Sequence, residues 1–202
     1  QGVEAGMLFV LLTGGEVFVR PDFFDIYEPM TEMGLIITLF TNGTLITDRI
    51  AKRLARRPSN RLEVTIYGAT EATYEAVTGR PGSYRRFVRG VEALLNAGLQ
   101  PKIKSTLSRL NVHEFDQMKA MAEAWGSEFS AGWLLTERRD GCSGRISELR
   151  FGPEETVDLE MKDEKARERL VKLAALDDAE ALRTSAFYCT AGKNTFVIGP
   201  TG

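Results

Sequence analysis

Thr13-Gly14-Gly15-Glu16 closes a short apolar run, an odd way for a buried strand to end. Two glycines permit positive φ and let the backbone approach a ligand closely. A carboxylate beside such a bend accepts charge-assisted hydrogen bonds from a cationic amine. Three further apolar runs end in polar groups: Thr41-Asn42-Gly43, Thr65 with Tyr67-Gly68, and Lys104-Ser105-Thr106. Gathered at one rim, these groups would suit a small zwitterion bearing a ribose. Alone, Gly-Gly-Glu is more often a plain turn with its carboxylate in water, so the register of the whole set decides.

The elements that must position these residues are legible as units. Met7 to Leu12, Leu35 to Phe40, Leu62 to Gly68, Lys102 to Leu107 and Phe129 to Leu135 read as strands. Between them lie helical patterns. The first starts at Pro21 and Asp22, carries Phe23, Ile26, Tyr27, Met30 and Met33 on one face, and stops at Gly34. The second is capped by Thr47 and ended by Pro58; a short one covers Glu71 to Val77. Ser83 caps a longer helix that ends at Gly98, and Asn111 with Glu114 form a capping pair for one running to Trp125. Strands alternating with helices imply an α/β fold with parallel strands and right-handed crossovers. Periodicity does not choose between an open sheet and a barrel. In either, ligands bind beyond the carboxyl ends of the strands, where the polar groups stand.

Composition narrows the class. The chain has 202 residues, 43% hydrophobic and 27% charged, with net charge -2. There is no basic field for nucleic acid, and Arg53, Arg56, Arg57 and Arg61 read as a solvated helix face. The longest apolar run, Met7 to Leu12, is too short for a membrane span. Cys142 and Cys189 lie far apart and no secretory signal opens the chain, so a reducing, cytoplasmic setting is expected. The chain begins at Gln1 and closes on "TFVIGPTG", where a strand has just reached a turn. A piece of a longer protein is expected. After Leu135 the rhythm breaks into the polar loop "TERRDGCSGR", a helix opening at Pro153, and a charged helical stretch from about Glu164 to Leu176.

Taken in register, "LLTGGEVFVRPDFFDIYEPMTEMGLIITLFTNGTLITDRIAKRL", "LEVTIYGATEATYEAVTGRPGSYRRFVRGVEALLNAGL" and "KIKSTLSRLNVHEF" closely resemble the radical S-adenosylmethionine superfamily, in particular members with a SPASM or twitch extension. The resemblance runs from about Met7 to Leu135 and returns at "YCTAGKNTFVIGPTG". It implies a partial TIM-type (β/α) barrel over residues 1–150, lacking its first βα unit, and a helical linker with the start of the extension over 151–202. It further implies that Gly14, Gly15 and Glu16 hold the amino group of S-adenosylmethionine, and that Thr41 and Asn42 sit near the same methionyl end. Thr65 occupies the serine or threonine position of the family's fourth strand; Lys104 or Ser105, on the fifth, reaches the ribose or carboxylate. In the intact protein a reduced [4Fe–4S] cluster would cleave the sulfonium and give a 5′-deoxyadenosyl radical. That radical would take hydrogen from a peptide or cofactor precursor. A reductase, flavodoxin or ferredoxin would supply the electron.

Two departures matter. Val17 stands where relatives carry proline after Gly-Gly-Glu, and the C-x-x-x-C-x-x-C loop that supplies three cluster thiolates is absent. The chain by itself is therefore expected to be inactive. Cys189 resembles the first ligand of an auxiliary cluster, whose other ligands would lie beyond Gly202; Cys142 reads as a neutral loop cysteine. His113 reads as a surface or capping residue, and Trp125 and Trp133 as packing. Two alternatives stand beside the enzyme: a non-catalytic module binding S-adenosylmethionine or a peptide, and a conventional TIM-type lyase or isomerase. An unpaired strand edge is expected where the first unit is missing, and with it self-association.

Overall fold

The computed structural model describes residues 2–4, 6–136, 146–161, 164, 167–168, 171–172 and 197–199. Five strands, β1 (Phe9–Leu12), β2 (Ile36–Thr41), β3 (Arg61–Thr65), β4 (Lys102–Thr106) and β5 (Phe129–Gly132), form one sheet in the order β1-β2-β3-β4-β5. Every pair is parallel, with Leu12 beside Leu39, Thr41 beside Val64, Thr65 beside Lys104, and Thr106 beside Gly132. Sequential parallel neighbours joined by right-handed crossovers put every connecting helix on one face. The helices are α1 (Phe23–Glu32), α2 (Asp48–Arg56), α3 (Glu71–Thr78), α4 (Ser83–Asn96) and α5 (Phe115–Ala124). This is a partial TIM-type barrel.

Burial follows the pleat. Ile37, Leu39, Leu62, Val64, Ile66, Ile103 and Leu107 point into the helix layer and are almost fully buried. They meet Tyr27, Leu54, Tyr74, Phe87, Val91, Leu94 and Met118 from the helices. Phe87 is central: its ring stacks on Tyr74 at 5.1 Å and meets Trp125 edge-on at 5.9 Å. Trp133 packs on Phe115 and Phe151. The residues between these core positions face the helix-free side, the inward side of the barrel. At β1 that side is open, and Phe9 and Leu11 are 72% and 50% exposed.

Several local expectations change in the structure. Thr47 does cap α2 through Ile50 N–H. Ser83, however, is the first residue of α4 rather than its cap; Gly82 holds that place, and the Ser83 hydroxyl bonds Thr78. Asn111 and Glu114 make no capping pair for α5. Asn111 donates its amide to the carbonyls of Tyr67 and Thr106, and Glu114 serves a different helix, described below. Arg53 and Arg57 pair with Glu28 and Glu32 of α1, while Arg61 lies on β3 and not on a helix face.

The chain divides into two compact units, Gln1–Phe151 and Gly152–Gly202. The first also holds the short helix α6 (Ile146–Leu149). In the second, α7 (Pro153–Glu160) begins with proline, and Gly152 N–H donates to the Glu155 carboxylate, a first-turn bond of the capping kind. Cys142, Cys189 and the stretch "YCTAGKNTF" lie outside the described residues. Among the described residues, no helix is long and apolar enough to cross a membrane.

Candidate functional site

The carboxyl ends of β1, β2, β3 and β4 converge on one rim, and Glu16 is its organising group. After β1 the chain turns through Gly14, whose φ of 153° lies where glycine is favoured, and Gly15. A Cβ built on either glycine would meet nothing within 4 Å, so backbone is open to an incoming ligand there. Glu16 then N-caps a 3-10 turn, Val17–Val19, and accepts from Phe18 N–H at 3.2 Å. Its carboxylate crosses to β2: Thr41 Oγ1 donates at 2.8 and 3.0 Å to the two oxygens, and Asn42 N–H donates at 2.7 Å. Two carboxylate oxygens offer about four acceptor positions. Three donors occupy this one, because the Thr41 hydroxyl has a single proton to share. Room remains for one more strong donor, such as an ammonium.

Thr41 is buried and fixed from both sides, since its oxygen also accepts from Gly43 N–H. The Asn42 side chain turns away into a local turn, where Oδ1 accepts from the N–H and hydroxyl of Thr44. Asn42 therefore serves Glu16 through its backbone. Thr65 and Lys104 are register partners and share the helix-free side of the sheet. Ser105 does not join them: it is 3% exposed, and its hydroxyl points to Met118 Sδ of α5 at 3.7 Å. The structure thus gathers Glu16, Thr41 and Asn42 tightly, sets Thr65 and Lys104 on the inward face, and turns Ser105 into the helix layer.

Two neighbours complete the site: Tyr67, named at a strand end in the sequence but given no role, and Glu63, which sequence reasoning missed. Tyr67 follows β3 with its ring edge-on to Tyr74 of α3 at 5.6 Å, and burial first, then the charge of Glu16, raises its pKa, so it stays a protonated donor. Glu63, only 7% exposed, lies one pleat below Thr65; Arg61 and Lys104 hold it at 2.5 and 3.2 Å. A carboxylate in an otherwise ordinary strand, "RLEVT", was the signal available for it.

The loop after β3 is held from the next unit. Glu114 accepts from Ala69 N–H (2.7 Å), Thr70 N–H (3.1 Å), Thr70 Oγ1 (2.6 Å) and Thr73 Oγ1 (2.7 Å). It therefore sits at the N-terminus of α3, where an anion is favoured. His113, beside it, is 62% exposed along its side chain. A cavity of about 470 Å³ opens at the other end of the strands, around Pro58, Asn60, Gly98 and Gln100. Parallel α/β folds bind ligands at the carboxyl ends, so that cavity is not the candidate site.

No group of three or more His, Cys, Asp or Glu among the described residues could hold a metal ion. The full sequence contains Cys142 and Cys189 as its two cysteines, so three thiolates for a [4Fe–4S] cluster do not exist within it. The donor set fits an amino acid cofactor and does not fit the cluster.

Comparison with known proteins agrees with this architecture. The AdoMet-dependent heme synthase of Methanosarcina barkeri is 36% identical over 143 residues, 70% of this chain and 41% of that protein. The mycofactocin maturase MftC of Mycolicibacterium smegmatis is 33% identical over 122 residues, 60% of this chain and 31% of that one. The chain thus spans less than half the length of these curated relatives. Among solved structures, native anSMEcpe with bound AdoMet and Cp18Cys peptide superposes with a TM-score of 0.57 at 14% identity, covering 78% of this chain and 46% of that one, which speaks for the fold. The profile of the radical SAM superfamily matches residues 1–123, more than half of the chain, and the chain belongs to that superfamily.

Proposed function

We propose that this chain is the S-adenosylmethionine-binding part of a radical SAM enzyme that acts on a peptide or cofactor precursor. The observation that carries the reading is the Glu16 carboxylate, pinned to the end of β2 with one acceptor position left beside two open glycines. In this reading Gly14, Gly15 and Glu16 hold the cofactor's ammonium, and the Glu16 charge needs no reorganisation when the ligand arrives. Thr41 and Asn42 act through Glu16 by fixing its orientation. Thr65, on the inward face, would donate toward the ribose side, with the protonated Tyr67 hydroxyl beyond the end of the strand. Bound there and given one electron, S-adenosylmethionine would supply hydrogen-abstraction chemistry, parting into methionine and a 5′-deoxyadenosyl radical. The chain's residues orient the cofactor and exclude water.

The [4Fe–4S] cluster that the family uses needs ligands from outside these residues, and we derive no step through it. The names of relatives, a heme synthase, a mycofactocin maturase and a PqqA peptide cyclase, support a peptide or cofactor precursor as substrate. Residues 151–202 would then be a linker and the start of a SPASM-like extension, with Cys189 as an auxiliary-cluster ligand. A reductase, flavodoxin or ferredoxin would be the electron donor, and the cytoplasm the setting. The missing thiolate set favours one second reading, a module that binds S-adenosylmethionine without chemistry.

The deciding test uses the full-length protein with iron and sulfide restored, dithionite and S-adenosylmethionine. Cluster-dependent 5′-deoxyadenosine is expected, and Glu16→Ala should abolish it by weakening cofactor binding at least about tenfold. Cofactor binding without 5′-deoxyadenosine, in a cluster-containing sample, would favour the binding module.

A further inference from the structure

The inward face of the sheet is divided by polarity. On β1 and β2 it presents Phe9, Leu11, Ile36 and Phe40 with one hydroxyl, Thr38, among them; on β3 and β4 it presents Arg61, Glu63, Lys102 and Lys104, with Thr65 and Thr106 nearer the carboxyl ends. Barrels normally fill this side with bulky branched residues. Charged residues there are a weak choice for stability, because a buried ion pair seldom outperforms apolar packing of the same volume. The charges run up β3 and β4, from Arg61, half exposed at the amino end of β3 beside the cavity there, to Lys104 next to Thr65. Glu63, with 9% of its side chain exposed, accepts from Arg61 Nε at 2.5 Å and from Lys104 Nζ at 3.2 Å. The Lys104 ammonium also lies over the Phe40 ring, 2.8 Å from its centroid. Two cations against one carboxylate leave one positive charge uncompensated. That charge sits where the polar half of the face meets the apolar half.

We propose that Arg61 and Lys104, held in place by Glu63, form a subsite for one carboxylate of the substrate, whose hydrocarbon part lies on the apolar half of the face. The proposal rests on the reading of this side as the substrate chamber, and it moves Lys104 from the cofactor to the substrate. A single residual charge matches a carboxylate better than a phosphate dianion, and an arginine fork with an ammonium beside it supplies directional donors. Lys104 has three N–H donors; Glu63 and the Phe40 face take two, and one remains. Burial, and in smaller measure the charge of Arg61, lowers the Lys104 pKa, and the Glu63 hydrogen bond and charge restore only part of that. A second anion at the ammonium would offset the desolvation that remains.

The test is calorimetric titration of the full-length protein, with S-adenosylmethionine present, by hexanoate, hexanamide and hexyl phosphate at fixed ionic strength. Hexanoate is expected to bind about tenfold more tightly than hexanamide. Lys104→Gln and Arg61→Gln should each reduce that preference, with the affinity for S-adenosylmethionine unchanged. Glu63→Gln, which leaves two uncompensated cations, should tighten hexanoate; it decides the matter if the other variants do not fold. Equal binding of hexanoate and hexanamide, tighter binding of hexyl phosphate than of hexanoate, or loss of cofactor affinity in Lys104→Gln would each overturn the subsite. 5′-Deoxyadenosine measured in the same wild-type sample separates the two claims. Its absence beside a charge-dependent hexanoate preference sinks the enzyme reading and leaves the subsite standing, and the reverse pattern sinks the subsite alone.

Discussion

Glu114 gives the sharpest test of how the rim is held together. Its carboxylate is 5% exposed and takes four hydrogen bonds from the loop after β3 and the first turn of α3. In Glu114→Ala the two hydroxyls can rotate to other acceptors, but the Ala69 and Thr70 N–H groups cannot move without the backbone. An orphaned buried donor costs about 1–3 kcal/mol, so two predict a loss of about 2–6 kcal/mol, before any relaxation that admits water. Glu114→Gln keeps the shape but faces one carbonyl and one N–H₂ toward donors, and should lose roughly half as much. The sign of the pH dependence follows from the folded-state pKa. Burial, the largest influence, raises it; the bonds from Thr70, Thr73 and Ala69 together outweigh burial and hold it below the ordinary value of 4.5. A depressed folded pKa contributes stability above the unfolded value, and that stability is lost as pH falls through the folded one. Urea unfolding of the chain, followed by tryptophan fluorescence at pH 7 and at steps below 4.5, therefore has a defined outcome. The gap between wild type and Glu114→Gln should be full at pH 7 and narrow progressively in acid. A gap that stays constant with pH, or a Glu114→Ala loss under about 0.5 kcal/mol, would refute the reasoning.

Three further outcomes are expected. A Cβ on Gly90 of α4 would run into the Gly43 carbonyl, which is backbone and cannot swing aside; Gly90→Ala should destabilise the chain by about 1–3 kcal/mol in urea despite a gain of nearly 1 in helix propensity. Ser105→Ala should leave the affinity of the full-length protein for S-adenosylmethionine within twofold, because its hydroxyl faces Met118; a tenfold loss by calorimetry would mean that the strand is turned differently. β1 is an edge strand, and its Phe9 and Leu11, with Leu8 just before it, are all at least half exposed, so the 202-residue chain should self-associate with rising concentration in sedimentation velocity, and a single monomer boundary throughout would contradict this.

The sequence made the strands legible because each is a short apolar or β-branched run that ends at glycine or a hydroxyl. Their observed ends move by a few residues: β3 stops at Thr65 where the apolar pattern continues to Gly68; Ile66 N–H still donates to Lys104 of β4, but the Tyr67 carbonyl accepts from the Asn111 side chain instead of a strand. Helix stops at Gly34 and Gly98 were equally plain, and both glycines take positive φ. Caps were less legible, for a physical reason. Asn111 and Glu114 have the spacing of a capping pair, but a local pattern cannot state that a neighbouring loop offers better donors. Glu114 gains four partners across the fold where a capping box would give it one. Tertiary hydrogen bonding overrides local spacing here, much as it overrides propensity elsewhere.

The same limit explains the site. Gly14, Gly15, Glu16, Thr41 and Asn42 stand at strand ends, and an end can be read from where an apolar run stops. Which side of the sheet a residue faces depends on register, and a slip of one exchanges the two faces. Lys104 and Ser105 are adjacent on β4, so no more than one of them can face the ligand side; the sequence left them as alternatives. Buried Ile103 and Leu107 on the helix side fix the parity: Ser105 goes with them, and Lys104 with Thr65 and Glu63. Once parity is fixed, Glu63 falls on the inward face of the middle strand, where it pairs with Arg61 and Lys104. Its function as a spacer is therefore a property of the sheet and not of the pentapeptide that contains it. A Glu63→Leu variant would fill the same volume and keep the strand pattern intact, yet it should bring the ammonium and guanidinium into repulsion. That change should also cost stability, because the two cations lose the carboxylate they face, and urea unfolding of Glu63→Leu against wild type reads the loss; equal midpoints would count against the spacer role.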